Sequence, residues 1–398
     1  MNRPRPRRFE ALPGALKVAH AACMRTVALL AAFALALAGC SGSSPTSSPA
    51  PGPPAPPPAS PAPPPPPGAT TYQNPVLDAD FPDPAIIRAS DGLYYVYATQ
   101  TDEGGRWINL QVARSRDLVS WERMGEALPV KPAWASRTQD FWAPHVAEHD
   151  GRYFLYYSAR PDAALTDPSR GLCLAVATAV RPEGPFTDMG RPLQCGESFV
   201  NIDPFSYDDP ATGRRLLYWG SGHQPIKVQE LGPDRMSFAP GSRPVDLIPA
   251  LPNSDPSQYS RLVEGAWVVL RDGFYYLFYS GDTCCGRNAN YAVLVARSRS
   301  ATGPFETFAQ ATGARTSVIL EQRGNWFAPG HNSVVVDQAG DHWMIYHAVD
   351  TRNPRLHPNA EANTRRVMLI DRIVWRDGWP RVEGNGPSTD PQPRPVTR

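Results

Sequence analysis

The sequence predicts an all-β chain, a five-bladed β-propeller, and three observations carry that expectation. First, a short phrase recurs: Asp91-Gly92-Leu93-Tyr94-Tyr95, Asp150-Gly151-Arg152-Tyr153-Phe154 and Asp272-Gly273-Phe274-Tyr275-Tyr276, with weaker copies at Gly213-Arg214-Arg215-Leu216-Leu217-Tyr218 and Gly340-Asp341-His342-Trp343. Second, the glycines of these phrases lie about 60 to 67 residues apart, a spacing suited to a repeated supersecondary unit with loops. Third, no stretch after residue 70 shows the apolar period of an amphipathic helix. Each copy reads as a tight turn opening an aromatic strand. Repeated sheets closed around an axis make a propeller.

The elements follow in chain order. A basic opening (Arg3, Arg5, Arg7, Arg8, Lys17, Arg25) precedes an apolar run from Val27 to Ala38, too short to span a bilayer and suited to an export signal. The run ends in Leu37-Ala38-Gly39-Cys40, which resembles a bacterial lipobox, so residues 1–40 are expected to be a lipoprotein signal with Cys40 as the lipidated residue. Residues 41–70 are Pro, Ser and Ala without charge, a disordered linker that cannot bury a core. As polyproline II it would give a stalk of roughly 70 to 90 Å. The protein is thus expected outside the cytoplasm, periplasmic or at the outer membrane or cell surface, touching membrane only through the lipid and acting as a monomer.

Residues 71–385 hold the five units, and 386–398 read as a disordered tail. Apolar runs at Pro84 to Arg88, Pro144 to Ala147, Ala266 to Leu270 and Ser333 to Val336 each precede the Asp-Gly phrase, and shorter strands such as Ile108 to Ala113 or Tyr291 to Ala296 follow it. Gly184-Pro185-Phe186 and Gly303-Pro304-Phe305 mark a second shared turn. The net charge of +1 gives no field for a nucleic acid or an anionic membrane surface. After processing, Cys173, Cys195, Cys284 and Cys285 remain; of the three pairings, Cys173 with Cys195 is favoured. Adjacent Cys284 and Cys285 read as free thiols or a strained vicinal disulfide, since neighbouring Cα atoms at about 3.8 Å are closer than disulfides usually allow.

In a propeller the residues just before the inner strands converge at one mouth of the channel. Asp83 in Phe81-Pro82-Asp83-Pro84, Asp203 in Asn201-Ile202-Asp203-Pro204 and Glu264 in Val263-Glu264-Gly265-Ala266 stand at equivalent places in the first, third and fourth units. Three acids at one mouth repel each other, a cost that a purely structural role does not require. Inverting glycoside hydrolysis needs such a set: one protonated carboxyl at the leaving oxygen and one carboxylate activating water from the opposite face, roughly 6.5 to 9.5 Å apart. Trp142 could stack on a sugar face.

Together with Asn74-Pro75-Val76, Trp142-Ala143-Pro144-His145-Val146, Gly330-His331-Asn332 and Leu369-Ile370-Asp371 to Trp379-Pro380, these segments resemble glycoside hydrolase family 43 of clan F, from Tyr72 to about Val382. Cys284-Cys285-Gly286 after a Tyr-rich strand is similar to the arabinan-degrading members. The resemblance implies Asp83 as general base, Glu264 as general acid and Asp203 as the group that raises and orients the acid. It places His331 near the axis, in contact with substrate or facing a structural calcium ion, directly or through water; the chemistry itself requires no cofactor. His145 stands where many members carry an acid and is assigned no role. The expected substrate is a plant polysaccharide or oligosaccharide, with α-L-arabinofuranosyl linkages of arabinan or arabinoxylan first. A β-xylosidase, or a carbohydrate-binding propeller without catalysis, is the alternative.

Overall fold

The computed structural model describes residues 70–357 and 364–397. The expected export signal, Cys40 and nearly all of the expected linker therefore lie outside the described residues. Five antiparallel sheets follow one another along the chain. Blade 1 is Ala85–Arg88, Tyr94–Ala98, Gln111–Ser115 and Trp121–Glu126; blade 2 is Trp142–His149, Arg152–Ala159, Cys173–Ala179 and Thr187–Asp188. Blade 3 is Phe205–Asp208, Arg215–Trp219, Ile226–Glu230 and Val245–Ile248; blade 4 is Val263–Arg271, Phe274–Thr283, Asn290–Ser298 and Glu306–Thr307. Blade 5 is Trp326–Val336, His342–Asp350, Arg366–Arg376 and Trp379–Val382.

The Asp-Gly phrases form the hairpins for which they are suited. Asp150 and Gly151 have φ of 50° and 70°, and Asp272 and Gly273 have 50° and 73°, the left-handed pair that matches the twist of the flanking strands. The aromatic strands behind these turns pack between blades. Tyr97 and Tyr157 share one buried cluster with Phe141 and Leu155, and Phe278 shares another with Met344 and Tyr346. Each buried phenol needs an acceptor. Tyr97 donates to the carbonyl of Pro182 and Tyr218 to that of Ala301, both at 2.6 Å, so the hydroxyl of one blade lands just before the Gly-Pro-Phe turn of the next. Phe186 of that turn meets Tyr97 edge-on at 6.2 Å.

A disulfide joins Cys173 to Cys195, fastening the short strand Gln194–Cys195 to blade 2. The chain closes beyond residue 385, and here the expected tail is corrected. Gln392–Pro393 pairs with Thr71–Tyr72, Ser388 is buried, and its hydroxyl accepts from Asn74 Nδ2 at 2.9 Å while its carbonyl accepts from Trp326 Nε1 at 3.0 Å. A polar, proline-containing segment carries no hydrophobic signature, yet its backbone groups complete hydrogen bonds that Thr71–Tyr72 and the last blade leave open.

Candidate active site

One backbone feature recurs in or just before all five inner strands. Asp83, Ala143, Asp203, Gly265 and His331 have φ of 58°, 43°, 57°, 62° and 48°. Each stands two residues before a residue in matching register with its second strand: Ala85 opposite Tyr97, His145 opposite Tyr156, Phe205 opposite Tyr218, Trp267 opposite Phe278 and Ser333 opposite Ile345. Left-handed backbone is costly for any residue but glycine, about 1 to 3 kcal/mol each, and tends to collect at functional sites. Here it brings the side chains of Asp83, Asp203 and His331 together.

His331 Nδ1 lies 3.4 Å from Asp83 Oδ1 and 3.8 Å from Asp203 Oδ2, and Asp203 Oδ2 accepts the backbone N–H of Gly265 at 3.1 Å. A side chain at position 265 would begin 3.3 Å from the His331 ring, so the glycine leaves that ring its place. Glu264 therefore does not share the place of Asp83 and Asp203. It stands one residue earlier and reaches the site because the pairing register shifts between Glu264 and Trp267. A shift of this kind inserts residues without leaving a mark in the sequence pattern.

Asp83 is almost fully buried and held from three sides. Thr99 Oγ1 donates to Oδ2 at 2.5 Å, Arg366 donates to Oδ1 at 3.0 Å, and the Asp83 N–H donates to His347 Nδ1 at 3.1 Å. Burial opposes ionisation, but Arg366 first, then His331 and His347, outweigh it and hold the carboxyl well below the usual range. Glu264 is treated differently. Burial, the largest influence, raises it to about 7; hydrogen bonds donated by Tyr291 to Oε1 at 2.7 Å and Ser221 to Oε2 at 2.9 Å pull it back, and the charge of Asp83 pushes it up. Asp203 is driven well above the usual range by burial and then by Glu264 and Asp83. Desolvation thus has a larger part in raising Glu264 than the charge of Asp203, which is itself held towards its protonated form.

Four of these contacts come from places where nothing in the sequence marks them: Thr99 just after a strand, Arg366 at the start of one, and Tyr291 and His347 within theirs. Ser221, in the loop after Trp219, is equally unmarked. Trp142 stands one residue before Ala143, the blade 2 counterpart of Glu264, and lines a cleft of 560 Å³ with Arg160, Gly171, Glu197 and Phe199. His145 is buried, accepts from the Ser206 N–H at 3.1 Å, and is pushed down to about 3 by burial; wedged edge-on against Phe205 and Trp267, it joins blades rather than facing the channel.

Two carboxyls split in this way, one kept ionised and one kept protonated, are equipped for acid–base chemistry on a bound molecule. Residues 72–380 match the profile described as Glycosyl hydrolases family 43. The chain belongs to that family. It is a glycoside hydrolase of an inverting family, with a polysaccharide or oligosaccharide as substrate. Among its family 43 relatives, a β-D-galactofuranosidase from Aspergillus niger is 27% identical over 322 residues, 76% of this chain and 82% of that one. An extracellular exo-α-(1→5)-L-arabinofuranosidase from Cellvibrio japonicus is 26% identical and covers 76% of this chain and 86% of its own. A crystal structure of a thermostable family 43 glycoside hydrolase superposes with a TM-score of 0.65 at 27% identity, covering 82% of this chain and 100% of that one.

Proposed function

We propose that this family 43 enzyme hydrolyses α-L-arabinofuranosyl linkages, with Asp83 as general base, Glu264 as general acid and Asp203 as the neighbour that orients the acid, burial more than the charge of Asp203 keeping Glu264 protonated. The split between the carboxyls carries the reading. Asp83, ionised against Arg366, takes a proton from water as its oxygen attacks the anomeric carbon. Glu264, protonated, gives its proton to the departing glycosidic oxygen; the Tyr291 and Ser221 hydroxyls then stabilise the carboxylate left behind. The bond to the leaving oxygen breaks as the bond to water forms on the opposite face, which inverts the anomeric centre.

The furanoside preference rests on the relatives' named activities. One acts on α-L-arabinofuranosyl and one on β-D-galactofuranosyl units, sugars of the same ring configuration that differ in the exocyclic carbon chain. Nitrophenyl α-L-arabinofuranoside, β-D-galactofuranoside and β-xyloside, assayed side by side with linear arabinan, test it. The arabinofuranoside or arabinan should give the highest kcat/KM by at least about tenfold, the discrimination that one substituent in a pocket supplies; a preference for xyloside would refute the reading.

The pH profile tests the roles. A raised pKa keeps Glu264 protonated below about 7, so kcat/KM should fall as pH rises through that value. A depressed pKa keeps Asp83 ionised, so the acid limb should lie below the ordinary carboxylate range. A profile flat through pH 7 would reject Glu264 as the acid.

Calcium takes six to eight oxygen ligands, waters included, and His331 offers a nitrogen, so an ion facing it would be held chiefly through water. No step above depends on one.

We also place the enzyme outside the cytoplasm on a lipid anchor at Cys40, because the Cellvibrio relative is extracellular and the Cys173–Cys195 disulfide suits an oxidising compartment. Cys40→Ser should shift the protein from the detergent phase to the aqueous phase; unchanged partition would remove the anchor.

A further inference from the structure

The mechanism leaves one reactive feature of the channel mouth unused. Cys284 and Cys285 are adjacent in the chain, unbridged and half-buried. Their loop is fixed against the site from two directions. Cys284 packs with Phe327 against the buried cluster of Tyr291, Ala289 and Ala328, and Tyr291 is the residue that donates to Glu264. The N–H of Gly286 donates to Thr364 Oγ1 at 3.4 Å, two residues before Arg366. The loop is thus tied to the chain just before Arg366, the group that donates to Asp83 and holds it ionised.

Two thiols side by side favour a soft atom that bonds to both. A direct S–S bond would need the sulfurs about 2.05 Å apart on Cα atoms closer than disulfides usually span. An inserted atom relaxes that demand, because each sulfur bonds to it and not to the other. Thiolate is also the form that soft metals and metalloids select.

We infer that Cys284 and Cys285 form a dithiol site at the catalytic mouth that captures soft, thiophilic species of valence two or more, trivalent arsenic being the representative, and that capture stops hydrolysis by displacing Arg366 from Asp83. With phenylarsine oxide the step balances without redox change: the As=O oxygen leaves as water with both thiol protons, and two As–S bonds form. The loss of activity rests on the roles proposed above; the capture does not.

The test uses the full-length protein and phenylarsine oxide at one equivalent, read by intact mass, peptide mapping and hydrolysis of the preferred nitrophenyl glycoside. One phenylarsenic group should map to the peptide holding both cysteines, survive a monothiol wash and leave with dimercaptopropanol. Activity should fall on the order of a hundredfold, the lower range of what a general base supplies, and return with the dithiol. Cys285→Ser should give no wash-resistant adduct and keep its own starting rate in the presence of the arsenical. No adduct, an adduct lost to monothiol, or isolation of the pair as a vicinal disulfide inert to the reagent would each overturn the site. A full adduct with undiminished rate would overturn the link to Arg366. Because mass is read separately from turnover, an enzyme inactive on every glycoside offered would bear on the functional reading alone.

Discussion

Asp83→Ala should reduce hydrolysis of arabinan and of activated aryl glycosides alike, by roughly 10³ to 10⁴, near the upper range for loss of a positioned base. The water molecule must be deprotonated as it attacks whatever the leaving group is, so no substrate escapes the loss. The environment of Asp83 indicates why the effect should be large. Thr99, Arg366 and the His347 contact fix the carboxylate in position as well as in charge, and a water accepted by so constrained an oxygen approaches along one direction. The check is kcat/KM on the two substrate types, with circular dichroism to show that the variant folds. A loss confined to the natural polysaccharide would remove Asp83 from the role of base.

The reading of the fold from sequence succeeded where two signals coincided. Asp150-Gly151 and Asp272-Gly273 demand left-handed backbone, and the Tyr-rich strands behind them demand burial on both faces, so each phrase fixed a turn and a strand together. The acids were legible for a related reason: a buried carboxylate before an apolar strand is conspicuous by its cost. Their partners were not. Thr99, Tyr291, His347 and Arg366 stand at the ends or in the middle of strands, where a Thr or Tyr is ordinary and an Arg is usually a solvated side chain. What makes them functional is the superposition of blades far apart in the chain, such as Arg366 of blade 5 against Asp83 of blade 1. The place of Glu264 was misread by one residue because a register shift is a property of the pairing between strands. The closing segment escaped for a similar cause, since its contribution is backbone hydrogen bonding and not buried apolar surface.

Glu264→Ala should show the opposite leaving-group behaviour to Asp83→Ala. On arabinan, where an alkoxide cannot leave without a proton, the loss should be on the order of 10² to 10⁴. On an activated aryl furanoside, whose phenolate departs unaided, kcat should stay within about tenfold of wild type, because base and water are intact. The activity that survives should also lose its fall through pH 7, since the group responsible for that limb, raised to about 7 by burial, is gone. Stopped assays of both substrates across pH give the two readouts together. Equal losses on both substrates would mean that Glu264 is needed for binding or folding and delivers no proton. A retained alkaline limb would assign that limb to another group, and Asp203 would be the first to consider, being buried beside Glu264 and driven upward by it. The two carboxyls can be told apart on this point by their partners. Glu264 accepts from two hydroxyls that can stabilise it once its proton has gone, whereas at Asp203 burial and the charges of Glu264 and Asp83 outweigh the N–H of Gly265, which favours the ionised form, and so keep the proton on.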